Sequence, residues 1–167
     1  MPTSTLFFQS LPYSALYTLI LGISFLLLAR LNPEIWLNDY PPDIKARYGA
    51  ISAAANRQRK IFGTPVILFM LGFPFFVLAH LAQTASLTFG QVFVILLTMF
   101  TSFNLFDLLV MDWLIFNTLQ PRLFVLPGTE GMAGYKDYAF HFWGSVKGQI
   151  GLTLVSLLGA GVAMLFR

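Results

Sequence analysis

The sequence predicts an all-α integral membrane protein, a bundle of four transmembrane helices joined by two long loops that carry short interfacial helices. Three observations predict it. First, the 167-residue chain is 57% hydrophobic and only 10% charged, where soluble domains carry roughly 25% charged residues. A soluble fold of this length could not hide so much apolar surface. Second, four apolar segments, 11–31, 61–83, 91–120 and 150–166, approach or exceed the about 20 residues needed to cross a bilayer. Third, the ten Lys and Arg are unevenly placed, with all but Arg167 in or beside two of the inter-span loops. The chain reads as a single domain over residues 1–167 with no internal repeat.

The first span has no positive charge ahead of it, and Arg30 follows it. It lacks the basic leader of a cleaved signal peptide and reads as an uncleaved anchor. The loop after it carries Lys45, Arg47, Arg57, Arg59 and Lys60. Pro41-Pro42 breaks this loop. Asp43 is placed to cap a helix running to about Gln58, with Ile44, Tyr48, Ile51 and Ala55 at helical spacing, lying at the membrane surface or leading into the second span. Pro65 and Pro74 predict kinks in the second span, with freed carbonyls open to Asn104 or a protonated Asp107. The connection to the third span is short and uncharged.

The third segment exceeds the bilayer by roughly three turns. The loop after it carries Arg122, Lys136 and Lys147. In it Pro127, Gly128, Gly131 and Gly134 mark a flexible turn, and the aromatic run Tyr135–Trp143 suits the headgroup level. Ser156, Gly159, Ala160 and Ala163 give the fourth span small-residue steps for helix contact. The positive-inside rule then places both long loops, 32–60 and 121–149, in the cytoplasm and both termini outside, in a cell (inner) membrane. Arg167 fits as a terminal residue that snorkels to the headgroups.

The chemistry centres on Asp107 and Asp112. An ionised carboxylate in hydrocarbon costs at least ~2.5–3.5 kcal/mol. A proton, a cationic partner or a ligand must offset that cost. Counting from Gln91, Asp112 falls at the inner interface and Asp107 roughly 7 Å deeper. On an α-helix Thr101, Asn104, Asp107, Met111 and Thr118 share a face, with Asp112 at its margin. That face is either a hydrogen-bond cluster between helices or a proton or ligand site. Its spacing departs from aspartate-rich prenyltransferase motifs.

Glu130, Asp137 and His141 share the loop side with Asp112, Asp39 and Asp43. Asp112, Glu130, Asp137 and His141 are expected to line one polar cavity under a loop folded back over the helix ends. The acids and amides from Asn32 to Asp43 could bind a cation, but their spacing matches no calcium loop, and they read first as a polar turn held by prolines. Gly128 to Lys136 lacks the Walker spacing. His80 and His141 fall on opposite sides, so no shared metal or bis-histidine haem is expected, and no metal-ligand motif appears. There are no cysteines, hence no disulfide or thiolate chemistry.

Three function classes remain. One is an accessory protein that binds a lipid, a hydrophobic ligand or other membrane subunits. The second is a proton- or cation-coupled transporter, which with four helices would need a homo-oligomer. The third is an enzyme acting on a lipid-phase substrate. Beyond the bilayer, a nucleic-acid partner is not expected.

Overall fold

A computed structural model describes residues 2–83 and 85–165. Four of its helical rods are long and apolar enough to cross a membrane: Thr3–Leu31, Ala53–Ala82, Phe89–Leu119 and Tyr138–Leu165. They pack as a bundle, and no strand occurs among the described residues. Arg167 and the end of the fourth predicted span lie outside the described residues.

Helix α1 (Thr3–Leu31) begins eight residues earlier than hydropathy indicated. It stops at Asn32, because proline at 33 disfavours helical backbone in the residue before it. The Asn32 side chain accepts from Glu34 N at 3.0 Å and starts a 3-10 turn, Pro33–Asp39. Pro42 sits at the first position of α2 (Pro42–Tyr48), where a missing N–H costs nothing.

The single helix expected from Asp43 to Gln58 is broken. Gly49, at φ +94°, ends α2 in a conformation that side chains resist. Ser52 then caps α3 (Ala53–Gln58), accepting from Ala55 N at 3.1 Å. Nor does Asp43 act as a cap: its carboxylate accepts from Gly134 N at 2.9 Å.

From α3 the chain runs through a π-turn, Arg59–Gly63, into α4 (Thr64–Ala82), so the second rod starts well before residue 61. Pro74 cannot bond to the Met70 carbonyl. That carbonyl accepts instead from Tyr17 Oη at 2.9 Å. A freed carbonyl was expected here, but its donor is neither Asn104 nor Asp107.

Thr88 and Gln91 form a reciprocal capping box that opens α5 (Phe89–Phe106). The same rod continues as a π-helix from Asp107 to Leu119, ending at Gln120 with φ +45°. Asp137 caps α6 (Tyr138–Leu165) by accepting from Phe140 N at 2.9 Å. Much of the aromatic run placed in the loop is therefore the first turns of α6.

Helix α5 packs between α1 and α6. Leu21, Tyr17, Ile95, Leu96, Met99, Phe100 and Ala160 form its buried core. The small-residue steps on α6 serve this packing. A Cβ on Gly159 would lie 2.8 Å from Leu96 Cδ1 and 2.9 Å from Phe75 Cε1.

A second core closes one end of the bundle. Leu37, Tyr40, Ile44, Met111, Phe116, Phe124, Leu126 and Tyr135 pack together there. They draw on both long loops and the π-helix. Tyr40 Oη donates to Phe124 O at 2.8 Å, and Leu126 N donates to Tyr135 Oη at 2.9 Å. The loops are thus a folded cap, which holds Pro33–Asp39 against the helix ends.

Candidate functional site

The cap and the π-helix, with residues of α1, α4 and α6, line an open cavity of about 300 Å³. Its polar wall is Asp39, Asp107, Asp112 and His141, and its apolar wall includes Phe25, Trp36, Tyr40, Phe116 and Phe124. The π-helix explains why both aspartates of the third rod reach it. At 3.6 residues per turn, positions five apart point roughly 140° apart. A π-helix closes its hydrogen bonds five residues apart, as Gln120 N to Ile115 O does at 2.9 Å. The wider turn brings residues five apart towards one face, and Asp112 moves from the margin to stand with Asp107.

His141, on the first turns of α6, places Nδ1 3.1 Å from Asp112 Oδ1. The histidine is 7% exposed and Asp112 25%. The ring packs edge-on against Phe116, with centroids 4.9 Å apart. Its Nε2 is buried without a hydrogen-bond partner. If the imidazole is neutral, Nδ1–H donates to Asp112 and Nε2 carries the free lone pair.

Neither Asp39 nor Asp107 accepts a side-chain hydrogen bond from any described residue. Asp107 shares the cavity lining with both Asp112 and Asp39. Asp39 stands exposed at the cavity mouth. Enough protein surrounds its carboxyl that loss of water, first, and the Asp112 carboxylate, second, push its pKa up; Lys45, His141 and Arg59 oppose this only in part. Tyr40 is pushed up as well, chiefly by burial, so it remains a hydroxyl donor.

The remaining sequence candidates sit elsewhere. Asn104 bonds to Gln149 Oε1 at 3.1 Å and Ser145 O at 3.3 Å, tying α5 to α6. Glu130 is fully exposed and accepts from Gly128 N at 3.1 Å. Backbone N–H groups, its own first and then that of Gly128, hold its carboxyl below the usual range. Asp137 is occupied as the cap of α6. The expected cavity of Asp112, Glu130, Asp137 and His141 therefore forms around a different set.

His80 packs against Tyr13 and takes no part in the cavity. Sequence reasoning placed Asp39 in a polar turn or a candidate cation site and gave Trp36 and Tyr40 no part in the cavity. The available signal was an acid interleaved with aromatics, Trp36-x-x-Asp39-Tyr40. No group of three or more acids and histidines among the described residues is drawn together tightly enough to hold a metal ion.

The architecture is that of a small polytopic all-α membrane protein with a polar cavity at one end. No protein-family model matches the chain, and neither the curated proteins nor the solved structures include a significant match.

Proposed function

We propose that the protein binds an amphiphilic amine, taking its ammonium group into the aspartate cavity at the level of the lipid headgroups. The observation that carries this reading is the convergence of three carboxylates inside aromatic walls, two of them without a protein hydrogen-bond donor. An ammonium supplies donors and no acceptor. Aromatic faces add attraction for a cation. The volume is at the lower end of that for small-molecule sites.

Titration of the detergent-purified protein with dodecylamine tests the reading. A variant with Trp113→Phe and Trp143→Phe leaves Trp36 as the sole tryptophan reporter. Saturable change in its fluorescence is expected, absent with dodecanol. Equal response to the alcohol would remove the role of the carboxylates.

The acidity of Asp39 adds a sign. Its raised pKa means that ionisation costs the fold. The group's contribution to stability is full below the ordinary carboxylate range and is lost as pH rises through the raised value. A bound ammonium reverses that cost. Dodecylamine affinity should therefore rise with pH across this window, and Asp39→Asn should flatten the rise.

A second reading rests on the His141–Asp112 pair. A histidine oriented by a carboxylate, with a free Nε2, is the arrangement of a general base, which favours an enzyme acting on the bound amphiphile. Incubation with membrane lipid extract, followed by mass spectrometry, would show a new product lost in His141→Gln. A transport role would need a second opening at the far end.

On charge grounds the capped end faces the cytoplasm. Ala133 and Ser86 are exposed at opposite ends of the bundle, and the natural chain has no cysteine to interfere. In intact cells Ser86→Cys is expected to react with an impermeant maleimide and Ala133→Cys only after lysis. The reverse pattern would invert the orientation.

A further inference from the structure

A second, smaller cavity of about 260 Å³ lies beside the first and shares Trp36, Asp39 and Ile67 with it. Its distinctive lining is Arg59, with Asn38 and Thr64. Arg59 belongs to the π-turn that begins the second span. Its stem passes Gly63, where an added Cβ would lie 3.6 Å from Arg59 Cγ, and its Nη2 donates to Asn56 Oδ1 at 3.0 Å. The guanidinium is thus positioned with most of its donors unspent.

Arg59 and Asp39 line the same opening, yet no ion pair joins them. Opposite charges that face one opening without closing on each other suit a ligand carrying both signs. The outer edge is apolar: Ile67 is 43% exposed and Leu68 66% exposed on α4, a helix of the membrane-spanning set. Acyl chains have a surface to follow there.

We infer that the amphiphile is an aminophospholipid, with its primary ammonium among Asp39, Asp107 and Asp112, its phosphate on Arg59, and its chains along Ile67 and Leu68. In an ethanolamine headgroup one ester oxygen and two carbons separate phosphorus from nitrogen, a span matched to two cavities with a common wall. A primary ammonium brings three N–H donors to the carboxylates, and a quaternary one brings none. Arginine matches a phosphate through its planar fork of donors. This inference rests on the amine-binding reading and adds the phosphate subsite to it.

Competition against dodecylamine, read through Trp36, separates the two. Dioctanoyl phosphatidylethanolamine is expected to displace the amine. Dioctanoyl phosphatidylcholine and phosphatidic acid should do so at least about tenfold less well. In Arg59→Gln the ethanolamine lipid should weaken at least about tenfold. Dodecylamine should bind that variant no less tightly, because a like charge has gone, and this also reports that the variant is folded. If dodecylamine binds but the ethanolamine lipid does not compete, the phosphate subsite is wrong and the amine reading stands. Parallel weakening of both ligands in Arg59→Gln, or equal competition by phosphatidic acid, would also overturn the inference. If dodecylamine itself fails to bind, both fall.

Discussion

Asp107→Leu is expected to abolish dodecylamine binding while leaving the melting temperature of the detergent-solubilised protein unchanged or higher. The two effects separate because the Asp107 carboxylate accepts no hydrogen bond from a described residue. Asn104, its predicted partner, is engaged with Ser145 and Gln149, and the Met70 carbonyl is engaged with Tyr17. Leucine at 107 therefore orphans neither. It also removes a carboxylate from a low-dielectric wall, where a charge lacking a close partner is costly. The loss of binding should be large. Removing one member of a desolvated charge pair costs about 2–5 kcal/mol, which is more than tenfold in affinity. Asp107→Asn should keep the fold and still bind weakly, through its amide oxygen. A leucine variant that melts well below wild type would show Asp107 to be part of the bundle's scaffold.

The cap should be most sensitive at Tyr135, which is 1% exposed. Its hydroxyl accepts from Leu126 N at 2.9 Å and lies 2.7 Å from Thr129 Oγ1. Tyr135→Phe leaves that buried N–H without its partner, at a cost of about 1–3 kcal/mol. Tyr135→Ala also empties the ring's place against Tyr40 and Phe116. Aromatic-to-alanine changes in a core cost about 3–5 kcal/mol. Thermal melts should rank wild type, Phe and Ala in that order. Dodecylamine affinity should fall with them, because Tyr40 and Phe116 also line the cavity. Wild-type melting of the alanine variant would mean that the loops do not form a cooperative cap.

The spans were legible because Leu, Ile, Val and Phe dominate them. Their ends were not. Residues 138–149 contain Lys147, Ser145, Gly144 and Gly148, so hydropathy drops there while the helix continues. Its cap, Asp137 three residues before Phe140, was the local signal for the true start. Gly49 was the overlooked break in the first loop.

The site was legible in part. An acid inside an apolar span signalled Asp107. The change to π geometry after Phe106 has no marking residue, and it is what turns Asp112 to the same side. Asp39 is far from Asp107 in sequence, and only the folded cap joins them. Glu130 and Asp137 looked alike to His141 in position. Their carboxylates, however, are spent on backbone N–H groups within three residues, the common fate of acids in turns and at helix starts.

Photolabelling tests the central claim most directly. A dodecylamine carrying a diazirine next to the nitrogen would be irradiated on the protein in detergent, and the adducts mapped by peptide mass spectrometry. Labelling is predicted within Trp36–Tyr40, Asp107–Phe116 and around His141, blocked by excess dodecylamine and lost in Asp107→Leu. Adducts confined to the exposed faces of the spans, and insensitive to the competitor, would contradict it.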